Sequence, residues 1–272
     1  MISLENDKIH LIHSTGNSTT VSTLGATITS FKDSHGNQLL FLSNNCQPNK
    51  AIRGGIPIAF PIFGKPPSDG PYKQLPQHGY ARISNWSYDG PIMDSDDGVS
   101  IKLSLNSPPQ LPPATLTYTV TLSAHQLTST LHVHNPSSTQ SLPFQALLHT
   151  YHLANPHNVG VIGLNGATYL DKTASSNKVI ESRDIVHANN LTDSVYLSTN
   201  DHLQLSNGVK IRKHNFPDTV VWNPSESAKN MSDMHKNGWN QFVCVEPGHV
   251  NDFYSLEPNC QWIGMQVITI PQ

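Results

Sequence analysis

The chain has 272 residues, a formal net charge of −3 and only 13% charged residues, which excludes the basic face that nucleic-acid binding requires. No apolar run approaches a membrane span, and the first residues, MISLENDKIHLIH, lack the apolar core of a secretory signal, so the expectation is a cytoplasmic protein without membrane partners. Ser, Thr, Asn and Pro are abundant, which favours strands and turns over exposed helices.

From Ile9 to Phe31 the short runs IHLIH, TTVSTLG and ATITSF read as strands, with turns at Gly16-Asn17 and Gly25. LLFL follows the turn at Ser34–Asn37. After residue 80 come ARISNWSY, GVSIKLSL, TLTYTVTL and LTSTLHVHN, each about eight residues long and bounded by turn formers, the spacing of an antiparallel sandwich. LPFQALLHTYHLA reads as one further strand, and a polar segment reaches Asn190. LTDSVYL, HLQLSNG and VKIRKH are short strands, and DTVVWNP runs into a short helix around Glu226–Met234. QFVCVEPGHV and WIGMQVITI close the chain. No repeat or composition shift marks a second domain, so residues 1–272 are expected to form one large all-β antiparallel sandwich with few short helices.

One stretch resists this pattern: RGGIPIAFPIFGKPPSDGPYKQLPQHGYAR, from Arg53 to Arg82. Its prolines and glycines forbid a helix interior, yet Ile56, Ile58, Phe60, Ile62 and Phe63 demand burial. Buried irregular chain must find partners for its backbone polar groups, and such an expensive segment suggests function. Two of the four arginines, Arg53 and Arg82, frame it.

Among fifteen histidines, His132 and His134 share one strand face, a weak metal candidate because no third ligand lies near in sequence. On a strand, the offset between His149 and His152 points their rings to opposite faces, against a shared metal. His78 sits beside Gly79, which allows a tight turn or close approach of a ligand. Glu246 ends the apolar run Phe242–Val245; desolvation there raises proton affinity and suits a general base, although a salt-bridged strand end fits the position equally. Cys46, Cys244 and Cys260 form neither a disulfide framework nor a CxxC motif, and Cys244 is expected to be buried and inert. The sequons at Asn17, Asn85, Asn190 and Asn230 are expected to stay bare.

Taken together and in order, IRGGIPIAFPIFG, QHGYAR, LLHTYH and VCVEPG resemble the hexose-6-phosphate mutarotases of the galactose-mutarotase-like β-supersandwich proteins; GLNGATYLD, TDSVY and VVWNP agree. The resemblance implies interconversion of α and β anomers of a sugar 6-phosphate, glucose 6-phosphate first, by a monomer without cofactor or metal. It implies Glu246 as base and His149 as acid, placed on opposite sides of the hemiacetal. It assigns Arg53, Gln77, His78, Arg82 and Asp193 to substrate binding, with the two arginines on the phosphate. Arginine suits that task because its planar fork makes bidentate, charge-assisted bonds. Ser194 stands where relatives usually carry Arg, Phe60 falls in a segment where many read CWP, and Ser225 replaces a large aromatic; these departures bear on sugar preference. The alternatives are an aldose 1-epimerase acting on unphosphorylated sugars, a non-catalytic carbohydrate-binding module on the same fold, and, more distantly, a metal enzyme built on His132 and His134.

Overall fold

Alternating strands leave one face apolar, and burial of those faces against one another builds the protein. The computed structural model describes residues 1–47, 50–175 and 177–271. Three antiparallel sheets account for the strands. A four-stranded meander spans Ile2–Glu5, Lys8–Ile12, Ser18–Ser22 and Ile28–Lys32. A nine-stranded sheet is centred on Gln261–Thr269, which pairs over its whole length with Gln126–His134, and that strand pairs in turn with Thr115–Leu122. An eight-stranded sheet is centred on Phe242–Leu256, flanked by Asp218–Asn223 and by Leu142–Leu148 with Tyr151–Leu153. The buried faces meet in one large apolar cluster. It includes Leu116, Tyr118 and Val120 from the nine-stranded sheet, Phe144, Tyr196 and Val245 from the eight-stranded sheet, and Ile9 and Val21 from the meander. The large antiparallel β-sandwich expected from the sequence is therefore the observed architecture.

Several elements differ from the sequence reading. Ala81–Ile83 is a short 3-10 turn, and the strand expected there lies later, at Ser87–Ser95. Gly90 and Pro91 sit within that strand because it is the edge of its sheet and two register irregularities absorb them. LLFL makes only isolated bridges, Leu40 with His152 and Leu42 with Gly54. LPFQALLHTYHLA is two strands broken at His149–Thr150. The expected helix is a 3-10 helix over Ser225–Asn230. The polar segment before Asn190 contains the short strands Asn177–Ile180 and Ile185–His187. Both are outermost in their sheets, and Asn177–Ile180 is exposed throughout, so no alternation betrays it.

The Arg53–Arg82 stretch has only the two-residue strand Ile58–Ala59, yet its buried part finds backbone partners in neighbouring segments. Gly55 N–H donates to the Phe41 carbonyl (2.7 Å), Ile56 to Ile28 (2.9 Å), Phe60 to His78 (3.2 Å) and Tyr80 to Phe60 (3.0 Å). Ile56, Ile58, Phe60 and Ile62 are buried; Phe63 is half-exposed for a reason given below.

Candidate active site

All seven residues singled out in the sequence line one cavity of about 680 Å³: Arg53, Gln77, His78, Arg82, His149, Asp193 and Glu246. Strand register explains how distant residues converge. Asp193 stands opposite Trp222 and Val220 opposite Glu246 on neighbouring strands, so these four side chains share one face of the eight-stranded sheet. The Arg53–Arg82 stretch crosses beside that face and supplies the other wall, where Phe63 meets the cavity.

His149 reaches the cavity because its strand breaks. The Thr150 N–H donates to the Leu148 carbonyl (2.9 Å), closing a three-residue turn centred on His149, whose own N–H is taken by the Pro57 carbonyl (2.9 Å). His152 pairs opposite Val243 and is not among the cavity residues, as the opposite-face argument expected. The His149 ring stacks on Tyr151 at 4.7 Å and 8°, and meets Trp222 edge-on at 5.6 Å. Its Nδ1 stands 3.4 Å from Glu246 Oε1. That nitrogen and both Glu246 oxygens are buried without hydrogen-bond partners. Burial, and then the Asp193 charge, push the Glu246 carboxyl well above the usual carboxylate range. Burial, and then His78 and the two arginines, hold His149 well below the usual histidine range. Both shifts favour uncharged forms.

His78 is fixed differently. It occupies the left-handed region (φ 66°), followed by Gly79 at φ 74°, where a Cβ would collide with the Phe60 carbonyl. Its N–H donates to the Gly64 carbonyl (2.8 Å), and its Nδ1 accepts from the Gly64 N–H (3.2 Å). The ring proton of neutral His78 therefore sits on Nε2. Burial, with smaller contributions from Arg82 and Arg53, lowers its pKa to about 3.

The two arginines are not equivalent. Arg53 makes a two-pronged contact with Asp233 Oδ2, from Nε at 3.1 Å and Nη2 at 3.0 Å, and donates from Nη1 to the Tyr151 hydroxyl (3.0 Å). Arg82 donates from Nη2 to the Gln77 carbonyl (2.8 Å), while its Nε is buried without a partner. Among the described residues Arg82 has no carboxylate partner, and burial followed by the Arg53 charge lowers its pKa. A desolvated cation lacking an anion is the natural seat for an anionic ligand. Lys65 and Lys172 stand exposed in the same lining.

Sequence reasoning missed Trp222, Phe63, Lys65 and Lys172 in the wall, and Tyr151 and Asp233 behind it. Only Trp222 left a usable signal, because the register that pairs it with Asp193 follows once the two strands are aligned. The three departures from the mutarotase pattern lie outside the lining. Ser194 is buried and, by alternation, faces away from Asp193; Phe60 packs in the core between Tyr80 and Phe144; Ser225 starts the 3-10 helix. His132 and His134 are half-buried on the nine-stranded sheet, opposite Ile263 and Gln261, with no acid across from them.

The sequence profile of the family described as aldose 1-epimerase matches residues 7–269. A protein of Cenchrus ciliaris, provisionally named glucose-6-phosphate 1-epimerase, is 31% identical over 261 residues, covering 88% of this chain and 77% of the relative. A protein with the same provisional name from Escherichia coli K12 is 29% identical, covering 84% of this chain and 78% of the relative. Among solved structures, the provisionally named mutarotase YeaD of Salmonella typhimurium superposes with a TM-score of 0.88 at 24% identity, covering 100% of this chain and 93% of that one. Galactose 1-epimerase of Lactobacillus acidophilus superposes with a TM-score of 0.76 at 16% identity, covering 99% and 97%.

Proposed function

The chain belongs to the aldose 1-epimerase family, and from that premise we propose that it interconverts the α and β anomers of a hexose 6-phosphate, glucose 6-phosphate first, by general acid–base catalysis from its own side chains. The observation that carries this reading is the presence in one cavity of an unpartnered carboxyl–imidazole pair and an arginine without an anion. The names of the relatives from Cenchrus ciliaris and Escherichia coli point to the same substrate.

Anomer exchange opens the ring, rotates about C1–C2 and recloses it. Opening removes a proton from the C1 hydroxyl and delivers one to the ring oxygen. In this reading Glu246 takes the first and His149 supplies the second; closure on the other face reverses the roles. The acid and base were expected across the hemiacetal, but the pair stands side by side, 3.4 Å apart. Adjacency suits the reaction, because both oxygens that exchange protons are bonded to C1. Burial favours the uncharged pair. As substrate enters, sugar hydroxyls donating to the partnerless Glu246 oxygens stabilise its carboxylate, and the carboxyl proton passes to the neighbouring His149 Nδ1. Glu246 thereby becomes the base and the His149 imidazolium the acid that protonates the ring oxygen. His78, neutral with its proton on Nε2, and Asp193 hold hydroxyls. Trp222 lies against an apolar sugar face, and Arg82 with Lys65 and Lys172 takes the phosphate. Arg53, bound to Asp233, braces the Tyr151 ring on which His149 stacks.

The test is NMR exchange spectroscopy of glucose, galactose and mannose 6-phosphates beside the free sugars. Acceleration greatest for glucose 6-phosphate is expected. Equal acceleration of free glucose would replace this reading with an epimerase of unphosphorylated sugars, and no acceleration of any sugar would leave a binding module.

A further inference from the structure

Among the described residues, one group of three metal-capable side chains brings its donor atoms together: His149, Cys244 and Glu246, all buried, with the three atoms within 4.8 Å of one another. Cys244 and Glu246 are two apart on the same strand and so share a face; His149 comes from the turn beside them. The mechanism uses the carboxyl and the imidazole and leaves the thiol idle. We propose that these three side chains form a site for one borderline-soft divalent cation, Zn²⁺ foremost, and that its occupancy inhibits the enzyme. Binding stands on the geometry alone; inhibition rests on the function proposed above.

Three observations carry the site. Nitrogen, sulfur and oxygen donors together suit Zn²⁺ and disfavour Mg²⁺ or Ca²⁺, which require oxygen cages. Tetrahedral Zn²⁺ with bonds of about 2.0–2.3 Å separates its ligands by about 3.3–3.8 Å. The His149–Glu246 spacing of 3.4 Å already matches this, and the widest spacing in the trio closes by about 1 Å. His149 Nδ1 and both Glu246 oxygens are buried with no partner to surrender, so coordination breaks no existing hydrogen bond. Three protein ligands leave a fourth position, which the cavity fills with water or a sugar hydroxyl. Coordination replaces the thiol and carboxyl protons, which leave to solvent through the cavity, and a cation held there occupies both proton-carrying groups at once.

Co²⁺ titration of the full-length protein tests the site, because a thiolate–Co²⁺ bond gives a near-ultraviolet charge-transfer band. One equivalent is expected to develop the band, and Zn²⁺ to abolish it. The Cys46→Ser/Cys260→Ser variant is expected to keep the band. Cys244→Ser is expected to lose it, to retain basal anomer exchange and to require at least about 10-fold more Zn²⁺ for half-inhibition. Absence of the band in the wild type or in Cys46→Ser/Cys260→Ser overturns the site, as does its persistence in Cys244→Ser. If Cys244→Ser does not fold, Cys46→Ser/Cys260→Ser alone decides. One-equivalent binding with undiminished exchange overturns the inhibitory role, whereas a protein that exchanges no sugar when metal-free and yet gives the band once Co²⁺ is added overturns only the proposed function.

Discussion

Glu246 Oε1 and His149 Nδ1 lie 3.4 Å apart at the floor of the cavity, close enough to share a proton but not joined by a formed hydrogen bond. A buried carboxyl with neither oxygen satisfied costs stability, and such costs persist at sites kept for chemistry. The Tyr151 stack orients the imidazole and the Pro57 carbonyl holds the His149 backbone N–H, so the pair is positioned before substrate arrives.

Glu246→Gln keeps the shape of the side chain and removes its basicity. Anomer exchange is expected to fall by about 10²–10⁴-fold, the worth of one positioned proton transfer, with an unchanged near-ultraviolet circular dichroism spectrum. Exchange spectroscopy of the folded variant measures this, and full activity would assign the base elsewhere.

Arg82→Ala separates the phosphate from the sugar. A hydrogen bond to a charged group is worth about 1.5–3 kcal/mol, so KM for glucose 6-phosphate is expected to rise about 10- to 150-fold, with free glucose little affected. Arg53→Ala is expected to behave differently, because it strands Asp233 and frees the Tyr151 hydroxyl behind His149, and its loss falls on kcat as well. Identical KM-only effects from both variants would restore a symmetric two-arginine clamp.

That asymmetry marks what the sequence conveyed and what it did not. Alternation in TLTYTVTL and LTSTLHVHN, with their bounding turn residues, made the sandwich legible, since period-two burial is a local property. The seven cavity residues were legible through motifs that name positions. The partnership of Arg53 with Asp233, 180 residues away, was not, because nothing local distinguishes an arginine spent on a carboxylate from one left free. The side-by-side placement of the His149 imidazole and the Glu246 carboxyl was hidden for a similar reason: the turn at His149 breaks a run whose apolar residues read as continuous strand. Asn177–Ile180 left no trace because an exposed edge strand buries neither face.

Trp222→Ala tests the sugar platform. An aromatic contact adds about 0.5–1.5 kcal/mol beyond area burial, so a loss of about 2- to 10-fold in kcat/KM is expected, equal for phosphorylated and free sugars. A loss confined to the phosphorylated sugars would place Trp222 with the phosphate. Part of the effect runs through His149, whose ring meets Trp222 edge-on, so kcat and KM are compared separately.

Stability is expected to depend on pH in two opposed ways. His152 is buried with its Nε2 unpartnered, and burial lowers its pKa from 6.5 to about 4; His78 is lowered to about 3. A histidine with a depressed folded pKa contributes stability that is fully present above pH 6.5 and is lost as pH falls towards the folded value, because the unfolded chain takes up the proton first. For His152 alone the shift corresponds to about 3 kcal/mol between pH 6.5 and 4, at about 1.4 kcal/mol per unit. His152→Gln is therefore expected to flatten the acid limb of a urea-denaturation series. Glu246 works in the other direction: its raised folded pKa gives stability that is complete below about pH 4.5 and lost as pH climbs. Glu246→Gln is accordingly expected to gain on the wild type as pH climbs above 4.5. Parallel curves for wild type and His152→Gln on the acid side, or for wild type and Glu246→Gln above pH 4.5, would show that the group concerned titrates alike in the folded and unfolded chains.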